Sequence, residues 1–353
     1  MKIEKIIVDE IGLPLSEPYR LAHGTVHKYD LFLVRVETST GTGLGEVVPL
    51  DGYGLETVAS IRSVLDVAAE LPGLDLEVAR SRIRRLLAGH PFAASALLDA
   101  LDVELTASAG GVVPLAGIVS GVLPAEAAEC SIGLLQQGYR TLKMKVGMRD
   151  DDLARVREVL RVIGREVILR LDANEAWSYR EAVAFMDGLD GGEGIEYLEQ
   201  PLPRNDWEDL SRLARRYSGK VMLDESIWTD DDLFRAVSLK GCRRIKLKAV
   251  KTSGMAELIR LGRLARSSGF EVIVGNGVAA DISCWREALA WGRLYPAGDG
   301  PAGEMNGYLK TSTRLLLNPL LCRGGCLVYP AGYRPILDKD MCHRFLNSRR
   351  IFS

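Results

Sequence analysis

The sequence predicts an α/β fold, a closed parallel barrel of repeated βα units joined to a smaller α+β module. Three observations predict it. From about Val112 onward, strand-like and helix-like stretches alternate strictly. Five of the strand-like stretches end in a charged residue: Lys145 in TLKMK, Asp172 in VILRLD, Glu199 in IEYLE, Asp224 in VMLD and Lys248 in RIKLK. Positions 145, 172, 199, 224 and 248 are spaced by 27, 27, 25 and 24 residues, the length of one strand, one helix and two short loops. The first ~105 residues follow another pattern, rich in strands and then in helices.

Taken in order, KIEKIIVDEIGLPL and DLFLVRVETSTGTGLGEVVPL read as strands, and the polar stretch from Ser16 to Lys28 between them reads as a loop. Helical periodicity follows around 56–70, 77–88 and 92–109, the last with a broad apolar face. The alternating region predicts strands near 113–119, 141–146, 167–172, 195–199, 221–224, 244–249, 271–275 and 303–309. Helix starts are marked by Pro124, Ser178, Asp206 and Thr229, and helix ends by Gly138, Gly219, Gly241 and Gly269. An open doubly wound sheet fits less well, because no G-x-G-x-x-G follows the first strand. From about Pro319, in CLVYPAGYRPILD, strand and turn character returns. The chain thus divides into 1–110, 111–318 and 319–353, the tail rejoining the first module.

With 353 residues there is room for a barrel of ~250 residues and ~100 more. A net charge of −2 gives no electrostatic reason to expect nucleic acid or an anionic membrane as partner. No apolar run approaches the ~20 residues that span a bilayer, and MKIEKIIVDE lacks the apolar core of a signal peptide, so a cytoplasmic protein is expected. Cysteines 130, 242, 284, 322, 326 and 342 form neither a disulfide framework nor a zinc pattern, and reduced thiols are expected.

A charged side chain ending an apolar strand is costly in a core and belongs where the strands open onto a ligand. Residues i and i+2 share a strand face, so Lys143 points with Lys145, and Asp172 with Asn174, whereas Asp224 and Glu225 diverge. Three carboxylates from consecutive strands, with no histidine or cysteine nearby, make an oxygen-rich site that suits Mg²⁺ over zinc. Lysines flanking that site face each other across it, and a neighbouring cation favours the neutral form that a general base needs. Acid–base catalysis contributes roughly 10²–10⁴-fold while enzymes commonly exceed ~10⁶, so metal and lysines complement each other. The plainer alternative is structural pairing of the acids with Lys143, Arg170 or Lys246. The regular order lysine–acid–acid–acid–lysine favours chemistry.

At KMK (143–145), LRLDAN (169–174), YLEQPL (197–202), LDES (223–226) and LKAVKTSGM (247–255) the chain resembles the enolase superfamily, in its muconate-lactonizing-enzyme subgroup. GTGLGEVVPLDGY at 41–53 is similar to the family's capping domain, so the resemblance spans nearly the whole chain. It implies a (β/α)7β TIM-like barrel with an α+β capping domain, and the family's pairing of a lysine base with Mg²⁺. Carried over, Asp172, Glu199 and Asp224 hold one Mg²⁺ per active site. Lys145 and Lys248 serve as acid/base groups, Lys143 supports Lys145 and contacts the substrate carboxylate, and Asn174 and Glu225 flank the metal ligands. Lys248 is preferred to Lys246 because Lys248-Ala-Val-Lys251-Thr-Ser-Gly follows the family's lysine pattern. The seventh strand, VIVGNGVAAD, has no histidine, which disfavours the mandelate-racemase branch.

Substrate contacts are expected from the loops at 16–28 and 50–54, including Tyr19, Arg20 and His23, and from the seventh and eighth strand ends, including Asn276. Dipeptide epimerases resembling this chain carry an Asp-x-Asp on the eighth strand that holds a substrate ammonium. Here the stretch is AGDGPAGEMNGY, so Asp299 is expected to match the second aspartate, with Ala297 in place of the first. Glu304 and Asn306 form another i, i+2 polar pair there. Two lysines imply racemisation or epimerisation of an amino-acid derivative or dipeptide. The alternatives are cycloisomerisation or β-elimination of a carboxylic acid, and a ligand-binding barrel without turnover. The partner implied is a small-molecule carboxylate, and the family implies a homo-oligomer.

Overall fold

The structure is a computed structural model. It describes residues 1–21, 24–50, 54 and 56–353, without the side chains of 19–21 and 24. β1 (Ile3–Leu21) and β2 (Gly24–Thr38) form a long antiparallel hairpin, and β3 (Gly41–Val47) adds to β2. The hairpin runs on into the stretch expected to be a loop. After a register shift between Pro14 and Tyr19, the pairs Tyr19↔Val26, Arg20↔Thr25 and Leu21↔Gly24 extend the ladder, since β-branched and aromatic residues there favour strand over the polarity of their neighbours.

The helices α1 (Val58–Val64), α2 (Leu76–Leu86) and α3 (Pro91–Ala100) cover this sheet, packing Ile61, Ile83 and Leu97 against Ile6, Phe32 and Val34. Their close approach depends on Gly43 and Gly45, where a Cβ would collide with the carbonyls of Ala100 and Ala96. α3 stops at Ala100, short of the expected 109. There Asp102 turns aside to pair with Arg80 and Arg286.

β4 (Gly111–Pro114) and β5 (Ala116–Val119) divide the strand expected at 113–119. Beyond them come α4 (Pro124–Gln136), β6 (Thr141–Lys145), α5 (Asp152–Ile163), β7 (Ile168–Asp172), α6 (Tyr179–Gly188), β8 (Ile195–Glu199) and α7 (Trp207–Arg216). β9 (Val221–Leu223), α8 (Asp230–Ser238), β10 (Arg244–Leu247), α9 (Met255–Ser267), β11 (Glu271–Val274) and α10 (Asp281–Leu294) complete the series. The expected helix starts act as caps: Ser178 and Thr229 each form a capping box, and Asp206 accepts from Asp209 N.

β5 to β11 form one parallel sheet in sequence order. The eighth position, expected as a strand at 303–309, is a short extended segment that closes the ring. Ala116 N donates to Gly303 O, Gly303 N to Pro114 O, and Glu304 N to Val274 O. The chain then turns into a 3₁₀ turn at Gly307–Lys310. The result is an α/β barrel with an antiparallel capping sheet. Outward residues such as Leu142, Leu171, Leu198 and Val272 pack under the helices, whereas Tyr197, Met222 and Ile273 fill the interior.

The tail serves both parts. β12 (Leu321–Arg323) pairs with β13 (Cys326–Tyr329), which pairs with β4 beneath the barrel, and after α11 (Lys339–Arg344), β14 (Leu346–Phe352) pairs antiparallel with β1. Two acids of the N-terminal part cap barrel helices. Glu46 of β3 accepts from Ala280 N, Ile282 N and Ser283 N at the start of α10, and Asp99 of α3 accepts from Met255 N at the start of α9. Among the described residues no helix is long and apolar enough to cross a membrane.

Candidate active site

The strand faces decide which side chains reach the barrel mouth. Leu142, Met144, Leu169, Leu171 and Leu198 face the helices, so Lys143, Lys145, Asp172 and Glu199 face inward. Asp172 is opposite both Lys145 and Glu199 in the ladder. β6 and β10 are four strands apart in a ring of eight positions, so the lysine-bearing strands lie across the barrel from each other, with β7, β8 and β9 between. Lys248 stands just past the end of β10.

The acids are gathered around shared cations. Lys143 Nζ lies 2.9 Å from Asp172 Oδ2, 2.8 Å from Glu199 Oε2 and 2.7 Å from Glu304 Oε2. Lys246 Nζ is 2.7 Å from Glu199 Oε1, 2.5 Å from Glu304 Oε2 and 3.9 Å from Asp224 Oδ2. Lys248 Nζ is 2.6 Å from Asp224 Oδ2, and Lys251 Nζ is 2.9 Å from Asp224 Oδ1. Apart from half-buried Lys145, all of these residues are buried.

Burial disfavours every one of these charges, and the neighbours decide the balance. Asp224 is held well below the usual carboxylate range because Lys248, Lys251 and Lys246 outweigh its burial. Glu304 is lowered in the same way by Lys143 and Lys246. Glu199 is pushed up to about 8 by burial and by the adjacent Asp172. Lys143 is raised well above the ordinary lysine value, its burial overcome by Asp172, Glu199 and Glu304. Lys251 is lowered by burial, despite Asp224.

The loops leaving these strands are strained and cross-braced. Asn174, Glu175 and Gln200 have positive φ values of 44°, 65° and 33°, which side chains other than glycine rarely adopt. Asn174 N donates to Asp172 Oδ1, and Asn174 Nδ2 donates to Glu225 Oε1 at 3.2 Å. Glu175 pairs with Arg204.

Among the described residues no three acids, histidines or cysteines stand in a ready-made metal cage, because the carboxylates are turned onto ammonium groups. Their donor chemistry nevertheless fits a hard divalent cation. All the donors are carboxylate oxygens, and buried Glu225 Oε2 and Glu304 Oε1 lack a hydrogen-bond partner.

Several expectations about substrate contacts change. Asp299 is exposed in the turn after α10, before the eighth segment begins, and so lies at the opposite end of the barrel from the charged strand ends. The match to the epimerases' Asp-x-Asp misled, because the eighth segment starts at Gly303, as its strand reading gave, which puts Glu304 and Asn306 toward its end. Glu304 joins the charged cluster itself. Asn306 is buried, with Nδ2 donating to Ala116 O and Oδ1 without a hydrogen-bond partner. Asn276 is buried after β11 and accepts from Val278 N, shaping that turn. His23 lies outside the described residues, as do the side chains of Tyr19 and Arg20 and most of the 50–54 loop.

Sequence reasoning missed three residues. Lys251 and Gln200 hold Asp224 from two sides, and only their places beside the charged strand ends could have marked them. Ile118 is the third. Gly117 faces Tyr139 and Leu134 outside the barrel and Val119 packs with Ala127, so Ile118, opposite Lys143 in the ladder, faces the mouth and is 39% exposed.

Residues 125–330 match the family described as Enolase C-terminal domain-like. The chain is 31% identical over 306 residues to the L-Ala-D/L-Glu epimerase of Bacillus subtilis (strain 168), covering 80% of this chain and 82% of that protein. It is 29% identical over 313 residues to muconate cycloisomerase 1 of Pseudomonas putida, covering 82% and 83%. The solved structure of a substrate-liganded complex of the Bacillus subtilis epimerase superposes with a TM-score of 0.84 at 26% identity, covering 99% and 100%. A barrel with lysine-bearing strands across three acid-bearing ones, over nearly the same length as these isomerases, belongs to the enolase superfamily, in its muconate-lactonizing-enzyme subgroup.

Proposed function

We propose that the protein catalyses Mg²⁺-dependent removal of a proton α to a carboxylate and its return, racemising or epimerising an amino-acid derivative or dipeptide. The observation that carries this is the placement of Lys145 at the end of β6 and Lys248 just past the end of β10, strands that face each other across the barrel with the acid-bearing strands between. Asp172, Glu199 and Asp224 are the residues that would hold the ion. When bound, Mg²⁺ supplies positive charge for the substrate carboxylate and the enolate oxygens, and favours neutral lysine nearby.

The proton balance rests on the two lysines. One, neutral, takes the α-proton, and the C–H electron pair moves into the carboxylate as an enolate. The other, as ammonium, returns a proton to the opposite face of the same carbon. Lys143 contributes a fixed positive charge, since three acids hold its proton.

Cycloisomerisation is the second reading, favoured by the relative of that activity at 29% identity, and it uses the same enolate with one lysine. Incubation with dipeptides, N-acyl amino acids and muconate in D₂O with Mg²⁺, read by mass spectrometry, separates the two. Deuterium at the α-carbon without other change supports epimerisation. Ring closure supports the alternative, and no exchange with any of them rejects both for these substrates.

A further inference from the structure

We propose that Gln200 is a positioning residue that sets the separation and direction of the Glu199 and Asp224 carboxylates, and through them the affinity for the divalent cation. It rests on the metal role proposed above. The sheet itself cannot do this. β9 pairs with β8 only at Leu198↔Val221 and Glu199↔Met222, so the ladder stops two residues short of Asp224. Gln200 continues the pairing beyond that point with its side chain.

Gln200 Oε1 accepts from Asp224 N at 3.0 Å and Ser226 N at 3.1 Å. Its Nε2 donates to Leu202 O and Ser226 Oγ, both at 2.9 Å. Its backbone N donates to Met222 O at 2.9 Å, and its carbonyl accepts from Glu175 N at 2.8 Å. The side chain is fully buried. One residue therefore ties together the loops that follow β7, β8 and β9, which carry the three acids.

The backbone shows what this side chain is retained against. Gln200 sits at φ 33° directly before Pro201, where an extended conformation is the norm. Glycine would adopt that φ without strain, yet glycine could not reach Asp224 N. A buried amide with all its polar atoms engaged, held on a strained backbone, suits a site where geometry matters more than local stability.

The test uses two variants of the full chain. Gln200→Gly removes the amide and relieves the strain, and Gln200→Met keeps the length and burial while losing the side-chain hydrogen bonds. Mg²⁺ is titrated by calorimetry, the bound Mn²⁺ spectrum is recorded by electron paramagnetic resonance, and thermal midpoints are measured in EDTA. The expected result is a folded protein whose Mg²⁺ affinity falls about 10–100-fold, with an altered Mn²⁺ spectrum. A Kd for Mg²⁺ within twofold of the unsubstituted protein, in either folded variant, overturns the proposal. Loss of folding in both also overturns it, because Gln200 is then a structural requirement of the barrel. If the unsubstituted protein binds no Mg²⁺, the metal role itself fails, an outcome its own titration identifies.

Discussion

Lys246 Nζ donates to Glu304 Oε2 at 2.5 Å in the barrel interior, joining β10 to the segment that closes the ring. The pair is buried and Lys246 also contacts Glu199, so its removal leaves Lys143 alone to neutralise the buried Glu199 and Glu304. Lys246→Met should therefore cost roughly 3–5 kcal/mol of folding stability, measured by urea unfolding. A loss below about 1 kcal/mol would mean that Lys143 alone neutralises Glu304.

Lys145→Ala and Lys248→Ala should behave differently from Lys246→Met. Each removes one proton carrier, and turnover should fall by at least about 10²–10⁴-fold while the circular dichroism spectrum and Mg²⁺ binding persist. In the Lys248→Ala protein, deuterium exchange from one substrate enantiomer should survive, since Lys145 still serves one face. Full two-sided activity would remove Lys248 from the mechanism.

Chelation should separate chemistry from folding. Treatment with EDTA should abolish turnover and leave the thermal transition cooperative, because the lysines already neutralise the acids without an ion. Added Mg²⁺ should restore activity. Turnover that persists after exhaustive dialysis against chelator argues against a metal requirement.

Stability should depend on pH through Glu46. Burial, opposed by three backbone N–H groups, raises its carboxyl from 4.5 to about 7. Between those values the unfolded chain has released this proton while the folded protein retains it, so stability falls as pH rises across that window. The contribution is complete below about pH 4.5, lost above about pH 7, and amounts to roughly 3 kcal/mol. Urea titrations of Glu46→Gln against the unsubstituted protein should show that slope only in the latter. Parallel curves would place the titration elsewhere.

Ile118 offers an uncharged wall among ionic neighbours. Ile118→Asp should leave the thermal midpoint within a few degrees, the position being partly exposed, while raising KM for a carboxylate substrate about tenfold through like-charge repulsion. An unchanged KM would show that substrate does not pass this side.

The charged strand ends were legible because their spacing and their neighbours' apolarity are local properties. Lys246, to which the family's lysine pattern preferred Lys248, pairs in the structure with Glu199 and Glu304. Local pattern failed where a neighbour from elsewhere in the chain decides the outcome. The eighth segment was expected at 303–309 and is fixed by backbone bonds to β5, β11 and Pro114, whereas Asp299 was placed by resemblance to an Asp-x-Asp and lies before that segment. Ile118 looks like any strand residue until the barrel closes. The structural pairing weighed against chemistry is present for Lys143 and Lys246, which neutralise these acids, whereas Arg170 pairs with Glu196 instead.

The helix caps supplied by Glu46 and Asp99 bear on how this protein can be taken apart. A barrel produced without its first 110 residues would present the starts of α9 and α10 without their acceptors, and would lose the strand that β14 pairs with. Exchange of N-terminal parts between relatives would keep these helix starts capped only where the donated part carries acids at these two places.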